Sequence, residues 1–204
     1  MLSESTSPTP EAAVAPPRYP RAGNALTRAT GRLIYRAMGW RLEGELPNLP
    51  KAIIIGGPHT SNWDLALAMG AMLSEGLRFS RMMKREAFIW PLGPLWRALG
   101  GVAIDRKAAR DVPAQMAAWF DSVEQGFLGI TPEGTRKAVE SYRRGYLRIA
   151  NAADVPVFVV GIDAARRTVV LDRLWPTTPD MDADNAAIRT YIRTRYNGIR
   201  PEHD

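Results

Sequence analysis

The chain has 204 residues, 46% of them apolar, with 27 basic and 21 acidic side chains and a formal charge of +6. It is long enough for one domain with a sizeable core and too apolar for a wholly disordered chain. The absence of cysteine excludes disulfides, thiolate zinc sites and a cysteine nucleophile, and two histidines leave two candidates at most for imidazole chemistry.

Residues 1–20 hold Glu4, Glu11 and Arg18, five of the 16 prolines, and several Ser and Thr. This composition predicts a disordered leader, and it has no basic start followed by an apolar run, so it is not a secretory signal. Between Glu11 and Glu43 there is no acid but six arginines, at 18, 21, 28, 32, 36 and 41. Arg28, Arg32 and Arg36 recur every four residues and form one stripe on a helix, with Leu26, Leu33, Ile34, Ala37 and Met38 on the other side. Residues 21–42 are therefore predicted as a basic amphipathic helical element. Two arrangements are open. The helix can lie on an anionic bilayer, apolar face down, or pack that face on the domain as an ordinary surface helix. No stretch approaches the roughly 20 apolar residues that span a bilayer. Of the 27 cations, 23 are Arg, the better planar partner for phosphate, although a genome rich in G and C gives the same bias.

From residue 40 the apolar blocks alternate in type. Strands are predicted at 52–55, 78–83, 102–104, 127–130, 155–162 and 168–171. Helices are predicted at 63–77, 108–125, 142–153 and 185–196. Residues 88–99 are apolar and aromatic, interrupted by Pro91 and Pro94. The alternation predicts an α/β domain over 43–200, with a mostly parallel central sheet flanked by helices, and then a tail, 201–204, that holds His203. Asp180, Asp182 and Asp184 begin like a calcium loop. Asn185 and Tyr191 stand where that loop needs Gly and Glu, so the acids read as loop and helix-cap residues. No zinc pattern, ribonucleoprotein motif or helix-turn-helix points to nucleic acid as a partner.

His59 follows the strand at 52–55 by a Gly-Gly-Pro turn. In open α/β sheets ligands gather beyond the carboxyl ends of strands. Asp64, five residues on, begins the next helix, and from there its carboxylate can reach back to the imidazole. Such a carboxylate fixes the ring tautomer and raises basicity at the other nitrogen, so the pair can deprotonate a hydroxyl. The plainer alternative is a turn histidine beside a helix-capping acid. Residues 131–136 close another strand on the same edge. Gly134, Thr135 and Arg136 offer backbone N–H, hydroxyl and guanidinium donors together, which suits a phosphate, and Glu133 can position Arg136 or a substrate hydroxyl. Arg106, beside Asp105 at the end of a third strand, is a second phosphate candidate or a surface ion pair. The stretch with Phe88, Trp90, Leu92, Leu95 and Trp96 can dip into a membrane interface, line an acyl channel or pack in the core.

Pro58-His59-Thr60-Ser61-Asn62-Trp63-Asp64, the segment 100–106, Pro132-Glu133-Gly134-Thr135-Arg136 and Val155-Pro156-Val157 resemble, in order and spacing, the four sequence blocks of the glycerolipid acyltransferases, the lysophosphatidate-acyltransferase-like group. The chain departs from the common pattern at Pro58, Ala103, Thr131 and Val159. The resemblance implies His59 as general base and Asp64 as its orienting partner. It implies acceptor binding by Glu133, Gly134, Thr135 and Arg136, with Arg136 near the acceptor's phosphate, and it matches Arg106 to the basic residue closing the second block. The implied donor is acyl-CoA or acyl-carrier protein and the implied acceptor a lysolipid, with no cofactor and no metal. Lysophosphatidate, lyso-ornithine lipid and other lysolipids remain open as acceptors. The family also places an amphipathic N-terminal element at the membrane. That implies a peripheral protein on the cytoplasmic face, touching an anionic surface through Arg28, Arg32 and Arg36, with Trp90 and Trp96 beside them. The competing classes are a hydrolase using the same His–Asp pair with water, a non-catalytic lipid-binding protein, and a divalent-metal site, for which His59 and Asp64 supply too few ligands.

Overall fold

The computed structural model describes residues 17–199 except 62, 109–110 and 135–138. Most of the expected leader and the expected tail with His203 lie outside the described residues. The strands are β1 (Arg41–Gly44), β2 (Lys51–Gly57), β3 (Phe79–Lys84), β4 (Gly101–Ile104), β5 (Gly126–Ile130), β6 (Val157–Asp163) and β7 (Thr168–Trp175). They form one sheet in the order β1-β7-β6-β2-β5-β3-β4. Only β6 and β7 run antiparallel, because a four-residue turn joins them directly. The other neighbours are parallel, as helical crossovers require. The expected α/β architecture with a mostly parallel sheet is what forms.

Among the described residues, six α-helices cover the sheet: α1 (Ala25–Ala37), α2 (Trp63–Glu75), α3 (Leu92–Ala98), α4 (Val112–Asp121), α5 (Gly145–Ala153) and α6 (Met181–Arg195). The crossovers through α2 and α3 step towards β4, and those through α4 and α5 step back. Right-handed crossovers therefore put α2 and α3 on one face and α4 and α5 on the other. Side-chain alternation along the strands agrees. Ile53, Ile55, Leu128, Val157 and Val159 pack on Met116 and Phe120 of α4, Tyr146 and Leu147 of α5, and Ile188 and Ile192 of α6. Ala52, Ile54, Phe127, Phe158 and Val160 pack on Tyr35 of α1 and Leu67 and Ala71 of α2. Because β2 and β6 are covered on both faces, their centres read in the sequence as continuous apolar runs.

Several boundaries differ from expectation. The helical element does not reach residue 42. It stops at Ala37, Gly39 adopts φ +73°, and Arg41–Gly44 pairs with β7. Residues 17–20 are not part of a free leader either. Arg18 N donates to Asn48 Oδ1 at 2.6 Å and Arg78 N donates to Pro20 O at 2.9 Å. The aromatic stretch 88–99 yields only the short helix α3, entered through Pro91 after a single 3-10 turn. Asp180 is the N-cap of α6, accepting from Asp182 N and Ala183 N, in line with the cap reading.

The helix α1 settles one open alternative. It packs on α2 through Gly31 and Tyr35, not through its apolar stripe. A Cβ on Gly31 would lie 2.8 Å from Ser74 N, so only glycine lets the two backbones approach this closely. Tyr35 Oη donates to Leu67 O at 3.0 Å, and burial raises its phenol pKa. Leu26 and Leu33 are left 73% and 69% exposed. The arginine stripe does not face outward as a unit. Arg28 is half-buried beside Gly76, Arg32 Nη1 donates to Ser74 O at 3.2 Å, and Arg36 is exposed. Among the described residues, every exposed large apolar side chain except Leu174 lies on or beside α1, α2 or α3. No helix among the described residues is long and apolar enough to cross a membrane.

Candidate active site

The strand β2 ends at Gly57, and a cis Gly57–Pro58 peptide leads to His59. The first turn of α2 then carries Asp64, which is 2% exposed. Its carboxylate folds back over the loop. Oδ2 accepts from Thr60 N and Ser61 N at 2.7 Å each and lies 3.1 Å from His59 Nδ1. The amides at a helix start lack intrahelical partners, and the helix dipole favours an anion there, so an acid in this turn serves both needs. A carboxylate on Nδ1 holds the proton there and leaves Nε2 as the basic nitrogen. Asp64 Oδ1 is buried without a hydrogen-bond partner among the described residues.

Glu133 follows β5, the parallel neighbour of β2, with Ile130 in register with Ile55. The two loops therefore leave the same edge side by side. Glu133 is buried, and its Oε1 and Oε2 accept from His59 N at 2.9 and 3.0 Å. Its carboxylate thus grips the backbone of the candidate base. Gly134 has φ +66°, and a Cβ there would meet Arg143 Cδ and Nε at 2.8 Å. Thr135 and Arg136 lie outside the described residues.

His59, Asp64 and Pro58 stand at a cleft of roughly 200 Å³ between α2 and the sheet. Its walls are Ile54, Gly56, Ala68, Met72, Phe79, Val160 and Ile162. An adjoining space of roughly 40 Å³ shares Ile54, Gly56, Ala68 and Met72 and continues to Leu46 and Leu171, with no polar surface. Two arginines that the sequence reading passed over belong here. Arg81, on β3, lines the cleft with His59. Arg143 lies across Gly134, donates its backbone N–H to Pro132 O at 2.8 Å, and lines a second cleft of roughly 270 Å³ that shares Ile130 and Thr131 with the first. The available signals were a cation in the middle of a largely apolar strand and an Arg-Arg pair just before α5. Arg106 is exposed in the loop after β4. It shares the carboxyl edge with His59, but β4 is three strands from β2, about 14 Å at the usual spacing of about 4.8 Å. Trp90 is 87% exposed and Trp96 half-buried, both away from His59's cleft lining.

Residues 41–163, from β1 to the end of β6, match the Acyltransferase family model. The chain belongs to the acyltransferase family. The matched span contains His59, Asp64, Arg106, Glu133 and Gly134, so the expected family membership stands. The fold is similar to that in the crystal structure of the 1-acyl-sn-glycerophosphate (LPA) acyltransferase PlsC from Thermotoga maritima. The TM-score is 0.54 at 17% identity, over 85% of this chain and 80% of that one. At that identity the likeness speaks for the architecture. No curated protein matches the chain.

Proposed function

We propose that this member of the acyltransferase family moves a fatty acyl group from a thioester, acyl-CoA or acyl-carrier protein, to the hydroxyl of a lysolipid, lysophosphatidate foremost. The observation that carries the reading is the His59–Asp64 pair, held by Glu133, at the mouth of an apolar cleft. His59 Nε2 takes the hydroxyl proton as that oxygen attacks the thioester carbonyl. The imidazolium that forms is balanced by Asp64. The tetrahedral intermediate collapses, the carbon–sulfur bond breaks, and the imidazolium returns its proton to the thiolate. The products are an ester and a free thiol, with no acyl-enzyme and no cofactor. The apolar cleft takes the acyl chain, a fit supported by its nearly polar-free walls.

Two predictions follow from the walls and the rim. A Cβ on Gly56 would meet nothing within 4 Å, so a larger side chain fits the fold and fills the cleft instead. Gly56→Leu is expected to keep the melting temperature and to shift donor preference towards short chains, with long-chain kcat/KM about tenfold lower, each lost methylene contact counting for about 0.8 kcal/mol. Competition between short- and long-chain acyl-CoA measures it. Arg143→Ala is expected to raise KM for a phosphate-bearing acceptor about tenfold with kcat little changed, because a charge-assisted contact to phosphate contributes about 1.5–3 kcal/mol. An acceptor without phosphate, such as lyso-ornithine lipid, is expected to show no such rise.

The reading extends to a peripheral protein on the cytoplasmic face of the membrane. It is supported by the apolar side chains that α1, α2 and α3 leave open on one face, with Arg36 and Arg97 among them. Apolar burial flanked by arginines is the usual chemistry of docking on anionic lipid. One experiment tests the whole. Purified protein is given labelled acyl-CoA or acyl-carrier protein and a panel of lysolipids in vesicles. Transfer that depends on a lysolipid supports the proposal, and release of free fatty acid without one replaces it with a hydrolase.

A further inference from the structure

A cavity of roughly 630 Å³ lies apart from His59. It opens at the amino ends of β3, β4 and β5, the opposite edge of the sheet from the candidate active site. The five residues of β5 alone separate the two edges by about 16 Å. Its floor is backbone: a Cβ on Gly100 would collide with Phe79 O, and one on Gly126 would fall 2.8 Å from the Trp119 ring. Three arginines stand around it: Arg21 before α1, Arg78 at the start of β3 and Arg97 on α3. No acid lines the cavity, and none of the three makes an ion pair among the described residues.

Three guanidinium groups around one concave space repel one another and gather counter-ions. Chain geometry enforces the grouping. Arg21 pairs with Leu77 in an antiparallel bridge and Arg78 N donates to Pro20 O, so Arg21 and Arg78 are locked side by side. Arg97 is steadied with its guanidinium carbon 5.4 Å from the Phe88 ring centroid. An anion with several oxygens relieves the repulsion, and the planar fork of arginine suits phosphate oxygens. The surroundings narrow the source. Leu95 and Leu99, both exposed, lie two residues either side of Arg97 in the chain, so Arg97 sits on a segment with open apolar side chains.

We propose that this cavity is a second anion site, which binds a phosphate monoester or diester group through Arg21, Arg78 and Arg97 apart from the catalytic edge. A lipid headgroup and a soluble phosphate share that chemistry. The test uses the full chain and reads binding, so it does not depend on acyl transfer. Calorimetric titration with glycerol 3-phosphate is run on the wild type, Arg78→Gln, Arg97→Gln, Arg143→Ala and the control Lys107→Gln, each checked for an unchanged melting temperature. Saturable binding weakened about tenfold in Arg78→Gln and Arg97→Gln, and kept in Lys107→Gln, is expected, with the Arg143→Ala titration separating out any share of the acceptor site. Binding lost only in Arg143→Ala, or no saturable binding at all, overturns the proposal. Phosphatidylcholine vesicles with and without phosphatidate then separate the sources. A phosphatidate-dependent gain in vesicle binding that Arg78→Gln and Arg97→Gln abolish assigns the site to a lipid headgroup. The same gain kept in both variants, with glycerol 3-phosphate binding lost, assigns it to a soluble phosphate.

Discussion

His59→Ala is expected to lower kcat for acyl transfer by about 10³-fold or more while the protein stays folded. General-base assistance contributes about 10²–10⁴-fold, and no second imidazole lies among the described residues to replace it. The ring is 22% exposed at the mouth of a cleft, so its removal opens no cavity in either core layer. Its backbone N–H, which Glu133 holds, survives the substitution. The melting temperature is therefore expected to move little. Steady-state transfer of labelled acyl groups, with thermal melts on the same preparation, measures both quantities. Near-normal turnover in a folded variant sinks the assignment of His59 as the base.

Asp64→Asn is the second large effect. Asparagine keeps the shape, and its single oxygen can still accept from Thr60 N and Ser61 N. What it loses in that orientation is the charge that balances the imidazolium; in the flipped orientation, with NH₂ at the Oδ2 position, it also loses the acceptor for both amides and for the Nδ1 proton. An amide NH₂ turned to the ring would place the proton on Nε2, the nitrogen that must be free. A fall of about 10²–10⁴-fold in kcat is expected, with KM nearly unchanged because the acyl cleft is untouched. Stability falls as well, since hydrogen bonds to a charged group contribute about 1.5–3 kcal/mol each. Denaturant unfolding reads that part separately. A variant equally destabilised but fully active would make Asp64 a helix-capping residue and nothing more.

Much of this arrangement was legible before the fold was on hand. The aliphatic runs at 52–55 and 155–162 read as buried parallel strands, and they lie side by side at the sheet centre. The spacing of His59 and Asp64 put a carboxylate within reach of the ring, because a turn followed by a helix's first turn is a nearly fixed shape. The misses have physical causes. The strand Arg41–Gly44 is short and polar, and only its pairing with β7 makes it a strand. The contact face of α1 stayed open in the sequence because its anchors are Gly31, valued for having no side chain, and Tyr35, whose hydroxyl finds a buried carbonyl. A hydrophobicity pattern scores neither, and the leucines it marks are left exposed. Arg81 and Arg143 were passed over because their neighbours in space come from distant parts of the chain. The grip of Glu133 on an amide 74 residues away was hidden for the same reason.

The hold of Glu133 on the His59 amide also limits how this sequence can drift over generations. Surface loops ordinarily gain and lose residues at small cost. The segment between Gly56 and His59 does not have that freedom. One inserted residue there would turn the amide from Glu133 and swing the ring off Asp64 in a single event, whichever residue was added. Substitutions such as Pro58 in place of another residue leave the register intact. The expected record of divergence in this loop is therefore variation in letters at constant length, and the same constancy extends to the stretch from the end of β5 to Glu133.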